Sequence, residues 1–145
     1  MAALHDVRTL AERDHYLAVV STRRTDGTIQ SSLVNAGVLP HPIGGTETVG
    51  FVTYGPAKLR NLRQRPEITL TFRAGWEWMA VEGRAELIGP DDVHRDIEGD
   101  RLRLLLRQIF TAAGGSHDDW DEYDRTMAEQ RRTAVLVWPT RIYGN

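Results

Sequence analysis

Cysteine is absent from the 145 residues, which removes disulfides, thiolate nucleophiles, Cys-ligated zinc and iron–sulfur clusters together. No apolar run approaches the roughly 20 residues of a membrane span, and the opening MAALHDVRTLAERDHY has no apolar signal-peptide core. A cytoplasmic location is therefore expected. Neither GxGxxG nor GxxxxGK[ST] occurs, so a Rossmann turn and a P-loop are excluded. The histidines at 5, 15, 41, 94 and 117 show no i, i+3 or i, i+4 pairing and no HExxH, and no metal site is expected. Lysine is almost missing: of 18 basic residues only Lys58 is Lys, the rest being Arg. A formal net charge of −2 gives no general attraction to nucleic acid or anionic membrane, and neither is an expected partner.

At this length one domain covering residues 1–145 is expected, and 41% hydrophobic with 26% charged residues suits a globular chain with a buried core. Residues 3–14 carry Leu4, Val7, Leu10 and Ala11 at helical spacing. Residues 17–23 and 29–39 are extended segments around an Asp-Gly turn signal at 25–28, a β-hairpin pattern. The run 40–45, with two Pro and two Gly, reads as a loop. Residues 48–54 form a further strand, and 57–65 a helix stopped by Pro66. Ile68, Leu70 and Phe72 alternate with polar residues, as does the stretch 76–88, where Gly83 suggests a bulge or close contact. A helical region follows from Gly89-Pro90 to about 113 with a break expected at Gly99. Ser116 and Asp119 suggest a capping box for a helix through 130, and 133–138 is a last strand ended by Pro139. Six extended segments with helices inserted late predict an α+β, mainly β, closed or partly closed barrel.

Chemistry-bearing groups are few. Ser116-His117-Asp118-Asp119 holds the letters of a hydrolase triad, but neighbours at a helix start cannot converge across space. In the segment FVTYGPAKLRNLRQR, residues 51–65, a strand gives way through a tight turn to a helix. Free backbone N–H groups near Ala57 and Lys58 would face whatever lies beyond the strand end. Lys58, Arg60, Arg63 and Arg65 add positive charge there, so the stretch is either a solvated basic face or an anion-binding helix mouth. Trp76 and Trp78 on an otherwise polar face are either core aromatics or a surface covered by a partner or planar ligand. Gln30, Ser32 and, past Val34, Asn35 could hydrogen-bond a heterocycle or face water.

These residues, in this order, resemble the flavin and deazaflavin oxidoreductases of the pyridoxamine 5′-phosphate oxidase-like split-barrel superfamily. They are most similar to its branch that binds the deazaflavin coenzyme F420. The likeness rests on Thr25-Asp26-Gly27, Pro56-Ala57-Lys58-Leu59-Arg60-Asn61-Leu62-Arg63, Gly75-Trp76 with Ala80-Val81-Glu82-Gly83, Asp119-Trp120-Asp121, Arg131-Arg132 and Ile142-Tyr143-Gly144. It implies a split β-barrel of six or more antiparallel strands with peripheral helices, and a homodimer holding F420, or alternatively FMN, at the subunit interface. Pro56, Ala57, Lys58, Arg60 and Asn61 would hold the phosphate and acidic tail. Arg23, Arg24, Arg63 and Arg65 would extend the groove for that tail. Gln30, Ser32, Asn35 and Thr53 would lie near the ring and ribityl chain, and Trp76 would approach from the partner subunit. The implied activity is hydride transfer between reduced deazaflavin and a small conjugated substrate, with no catalytic side chain required. The alternatives are an FMN-dependent oxidase or reductase and a non-catalytic F420 carrier.

Overall fold

In the computed structural model, which describes residues 3–145, the chain forms seven strands and four helices among those residues. Helix α1 (Leu4–Glu12) turns Val7, Leu10 and Ala11 inward. Strands β1 (Leu17–Arg23) and β2 (Ile29–Asn35) are the expected hairpin. Its turn is fixed by Asp26, which accepts from the Thr28 backbone N–H at 3.0 Å and from the Thr28 hydroxyl at 2.6 Å, while Gly27 takes φ of 87°.

The extended segment expected at 29–39 is two strands. After β2 the Ala36 N–H donates to the Tyr16 carbonyl at 2.9 Å, and β3 (Gly37–Pro40) then pairs with β4 (Glu47–Thr53) at the opposite edge of the sheet. Gly37 permits this corner: a Cβ there would lie 2.4 Å from the backbone of Ala112. Helix α2 (Pro56–Gln64) follows β4, and β5 (Glu67–Ala74) and β6 (Glu77–Ile88) form the next hairpin.

Three further expectations are corrected. Residues 89–99 are not helical; they make two isolated bridges, Gly89 with Asp92 and His94 with Ile97, and helix α3 (Asp100–Ala112) begins only after Gly99, at φ of 59°. Strand β7 (Thr133–Gly144) runs through Pro139 instead of ending there. Pro139 lies opposite Gly83, beside a bulge in β7: Glu82 and Gly83 are consecutive but pair with Arg141 and Pro139, leaving Thr140 as the extra residue, and at such an interruption of the ladder the missing donor of Pro139 is tolerated. Before β7, helix α4 (Trp120–Glu129) has Asp119 itself as N-cap, accepting from the Glu122 N–H at 3.1 Å, so the expected Ser116–Asp119 box is replaced by a direct cap.

All seven strands form one antiparallel sheet in the order β2-β1-β5-β6-β7-β4-β3. It curls into a split barrel. Val20, Phe51, Leu70, Phe72, Val81 and Val135 fill its interior, with Val7 of α1 and Leu62 of α2. Each fully buried side chain of this size stabilises the fold by roughly 1.5–3 kcal/mol. A second core lies outside, where α3 and α4 cover the outward face of β3, β4 and β7 through Leu39, Leu105, Ile109, Tyr123 and Leu136. Consecutive residues of β7, Val135 and Leu136, thus belong to different cores. No helix among the described residues is long and apolar enough to cross a membrane.

Candidate functional site

The two cores meet where β4 ends, and there the split of the barrel opens as a cleft of about 560 Å³. One wall is the end of β2, Leu33 to Asn35; another is Val52 to Pro56, running from β4 into α2; a third comes from α3, α4 and the turn between α4 and β7.

Lys58 lies in this cleft. Residues 54–55 break the strand, Gly55 is the N-cap of α2 without any side-chain cap, and Pro56 at N1 presets the first turn. The N–H groups of Ala57 and Lys58 therefore lack intrahelical acceptors and carry the positive end of the helix dipole. The Lys58 side chain is 93% shielded from solvent at the residue level, only 7% being exposed. Its Nζ donates to Thr53 Oγ1 at 3.4 Å and sits 5.7 Å from the Phe51 ring centroid, and no carboxylate pairs with it among the described residues. Burial pushes its pKa below the ordinary 10.5. Thr53, also buried, accepts a second hydrogen bond from the Gly55 N–H at 3.2 Å.

The second strand separates its candidates by parity. Gln30 and Ser32 face the barrel interior opposite Thr22 and Val20, whereas Asn35 points to the other side, lines the cleft and donates to the His15 carbonyl at 2.8 Å. Gln30 is tied to α2 through one hydroxyl: Thr22 donates to Gln30 Oε1 at 3.2 Å and accepts from Asn61 Nδ2 at 3.1 Å. The Ser32 hydroxyl is buried with no partner among the described residues.

Ala57, Arg60 and Asn61 line a different crevice, of about 290 Å³, shared with Arg24, Thr25 and Asp26 of the hairpin turn. The five-arginine groove is smaller than expected. Arg63 grips Asp92 through two hydrogen bonds of 2.8 and 2.6 Å, Arg23 pairs with Glu67 at 2.8 Å, and Arg65 is held by the Arg23 carbonyl at 3.1 Å. Arg24 and Arg60 line the crevice, Arg24 donating to the Ile29 carbonyl at 2.8 Å. Trp76, 95% exposed at the β5–β6 turn, does not line the cleft of its own chain.

The structure thus brings Asn35, Thr53, Pro56 and Lys58 together in one cleft, and Ala57, Arg60 and Asn61 in the neighbouring crevice. Sequence reasoning missed the far wall: Tyr54, Ile109, Phe110, Tyr123, Met127 and Arg132. Of these, only Arg132 carried a signal, in the Arg131-Arg132 pair. Tyr123 is no proton donor to a ligand at neutral pH, since its hydroxyl donates to the Leu106 carbonyl at 3.0 Å and burial pushes its pKa up to about 12. An uncapped helix start and an ammonium group with no counter-ion among the described residues, set against apolar walls, suit an anionic molecule with an apolar body.

A family model described as pyridoxamine 5′-phosphate oxidase matches residues 5–141. Among solved structures, a conserved hypothetical protein from Mycobacterium tuberculosis superposes with a TM-score of 0.69 at 16% identity, over 99% of this chain and 84% of the other. An F420 reductase gives 0.61 at 18% identity over 94% of both chains. A pyridoxamine 5′-phosphate oxidase-related, FMN-binding protein from Nostoc punctiforme gives 0.63 at 17% identity, over 99% of this chain and 84% of the other. At these identities the structural likeness is one of fold.

Proposed function

Because the chain belongs to the pyridoxamine 5′-phosphate oxidase family, matched over residues 5–141, we propose that it is an F420-dependent oxidoreductase acting on a small conjugated substrate. The observation that carries this reading is Lys58: a buried ammonium group at an uncapped helix start, with no carboxylate partner among the described residues. A buried cation is costly unless an anion meets it, and here the anion must come from outside the chain.

Lys58 and the N–H groups of Ala57 and Lys58 would hold the cofactor phosphate, and Thr53 would orient the ammonium group toward it. Arg60 and Arg24, in the adjoining crevice, would take the acidic tail, which is why F420 is preferred over FMN. Asn35 offers its position on the cleft wall to the ring system, whereas Ser32, with its hydroxyl inside the barrel, does not line that cleft. Gln30 and Asn61 keep α2 docked on β1 through Thr22.

When bound, the deazaflavin supplies the hydride; the protein's part is to bind, to orient and to exclude water. Val34, Ile109 and Phe110 provide the apolar surface for this. A homodimer with the cofactor at the subunit interface is part of the proposal. Trp76, almost fully exposed, and the outward Val19–Leu33 pair on β1 and β2 are the apolar surface it would cover.

FMN is the second reading. Its specific support is the reduced groove, since four of the five arginines expected for an acidic tail, all but Arg60, make hydrogen bonds within the protein. Titration of the purified protein with F420 and with FMN separates the two: F420 is expected to bind more tightly, and tighter FMN binding would replace the first reading by the second. Tight F420 binding without oxidation of its reduced form by quinones, nitro compounds or enones would instead indicate a carrier.

A further inference from the structure

The far wall of the cleft holds a second cation that has no counter-ion among the described residues. Helix α4 ends in a Schellman turn, in which the Arg131 N–H bonds the Ala128 carbonyl at 3.1 Å and the Arg132 N–H bonds the Met127 carbonyl at 3.0 Å. Arg131 occupies the left-handed position normally given to glycine, with φ of 50°, and is held outward by Asp91 at 2.5 Å. The next side chain, Arg132, is thereby turned the other way, into the cleft.

Its guanidinium carbon lies 3.9 Å from the centroid of the Tyr54 ring, and its Nε donates to Gln130 Oε1 at 2.8 Å. Its two terminal amino groups have no partner among the described residues. Other arginines of the fold are treated differently: Arg63 is matched through two hydrogen bonds by Asp92, and Arg107 likewise by Asp124. Arg132 is half-buried, and burial pushes its pKa below the usual arginine value.

The position separates it from the phosphate end. Thr53 pairs with Thr133, but Thr53 and Lys58 belong to the interior side of β4, whereas Tyr54 and Arg132 are on the side covered by α3 and α4. Around Arg132 the wall is apolar, with Ile109, Phe110 and Met127. Arg132 and Met127 also border a further cavity of about 450 Å³ between α3 and α4, floored by Leu102 and Leu106, so a ligand body has room beyond the fork. A planar fork of N–H donors beside an aromatic wall matches a carboxylate in two parallel hydrogen bonds.

We propose that Arg132, stacked on Tyr54, is the substrate-recognition residue of this cleft and selects conjugated substrates that bear a carboxylate. The inference rests on the reading that Lys58 takes the cofactor, and its test separates the two. The full chain, with and without saturating F420, is titrated by calorimetry with 2-naphthoate and with its neutral analogue 2-naphthalenemethanol. The expected result is a preference of about tenfold or more for the carboxylate, erased in Arg132→Gln and partly kept in Arg132→Lys, with F420 affinity in Arg132→Gln changed by less than about twofold. If Arg132→Gln does not fold, Tyr54→Leu takes its place, with the preference expected to fall.

Equal binding of the two probes by the wild type, or a preference that survives both Arg132→Gln and Tyr54→Leu, overturns the proposal. So does a loss of F420 affinity in Arg132→Gln as large as that in Lys58→Ala, which would reassign Arg132 to the cofactor tail. Failure of the wild type to bind F420 defeats the functional reading alone, since the naphthoate preference is read in the cofactor-free titration as well.

Discussion

Lys58 Nζ donates to Thr53 Oγ1 at 3.4 Å, and this hydroxyl is the only hydrogen-bond partner of that ammonium group among the described residues. Thr53 is thus a positioning residue for the cation, and it also caps the turn by accepting from the Gly55 N–H at 3.2 Å. Thr53→Val is expected to destabilise the cofactor-free protein by about 1–2 kcal/mol in urea unfolding, through two lost hydrogen bonds. It should also weaken phosphate-bearing cofactors severalfold. Unchanged affinity would separate Thr53 from the site.

Replacement of Lys58 by Met is expected to leave the cofactor-free protein as stable as the wild type or more so, because a buried charge is exchanged for an apolar side chain. The sign of its pH dependence follows from the lowered pKa. Between the folded value and the ordinary 10.5 of the unfolded chain, the unfolded state binds more protons, so wild-type stability rises with pH through that window. The cost of burying the charge is fully present below the folded pKa and is gone above about 10.5. The stability difference between Lys58→Met and wild type should therefore be constant near neutral pH and shrink toward pH 10.5, as read by urea unfolding at a series of pH values. A difference that grows with pH contradicts the assignment.

The Thr22 hydroxyl joins the barrel to α2, accepting from Asn61 and donating to Gln30. Thr22→Val strands the buried Asn61 amide, with an expected loss of about 1–3 kcal/mol. Thermal unfolding of Thr22→Val against an Asn61→Leu, Thr22→Val double variant checks this. The double variant should recover part of the loss, because the orphaned amide is gone.

Two neighbouring arginines of α2 are expected to behave differently. Arg63→Ala should change F420 affinity by less than about twofold, since its guanidinium is occupied by Asp92. Arg60→Ala should weaken F420 by about three- to tenfold at low salt and leave FMN nearly unaffected, an effect that fades as salt screens the tail. Equal losses for F420 and FMN would place Arg60 at the phosphate instead.

How far such features could be read beforehand depends on whether their causes are local. The mouth of α2 was legible because Gly55-Pro56 followed by helical composition sets it within a few residues, and the β1–β2 hairpin because Asp26-Gly27 specifies its turn. The β2–β3 corner was not, since Gly37 is required by Ala112, 75 positions away, and β7 continues past Pro139 through a bulge at Thr140 that only its pairing with Glu82 and Gly83 of β6 reveals. Charge runs misled for the same reason. Arg23, Arg63 and Arg65 are as basic as Arg60 in sequence, but their partners Glu67, Asp92 and the Arg23 carbonyl arrive through packing. Arg132 lay hidden in an ordinary Arg-Arg pair until the turn after α4 and the Tyr54 ring gave it a direction.

The central claim is that an anionic cofactor docks at Lys58, and calorimetric titration of F420 into wild type and Lys58→Ala tests it most directly. The expected result is saturable binding by the wild type and a loss of about 1.5–3 kcal/mol in the variant, that of one charge-assisted contact. Equal affinity in the two proteins, with Lys58→Ala folded, would contradict it.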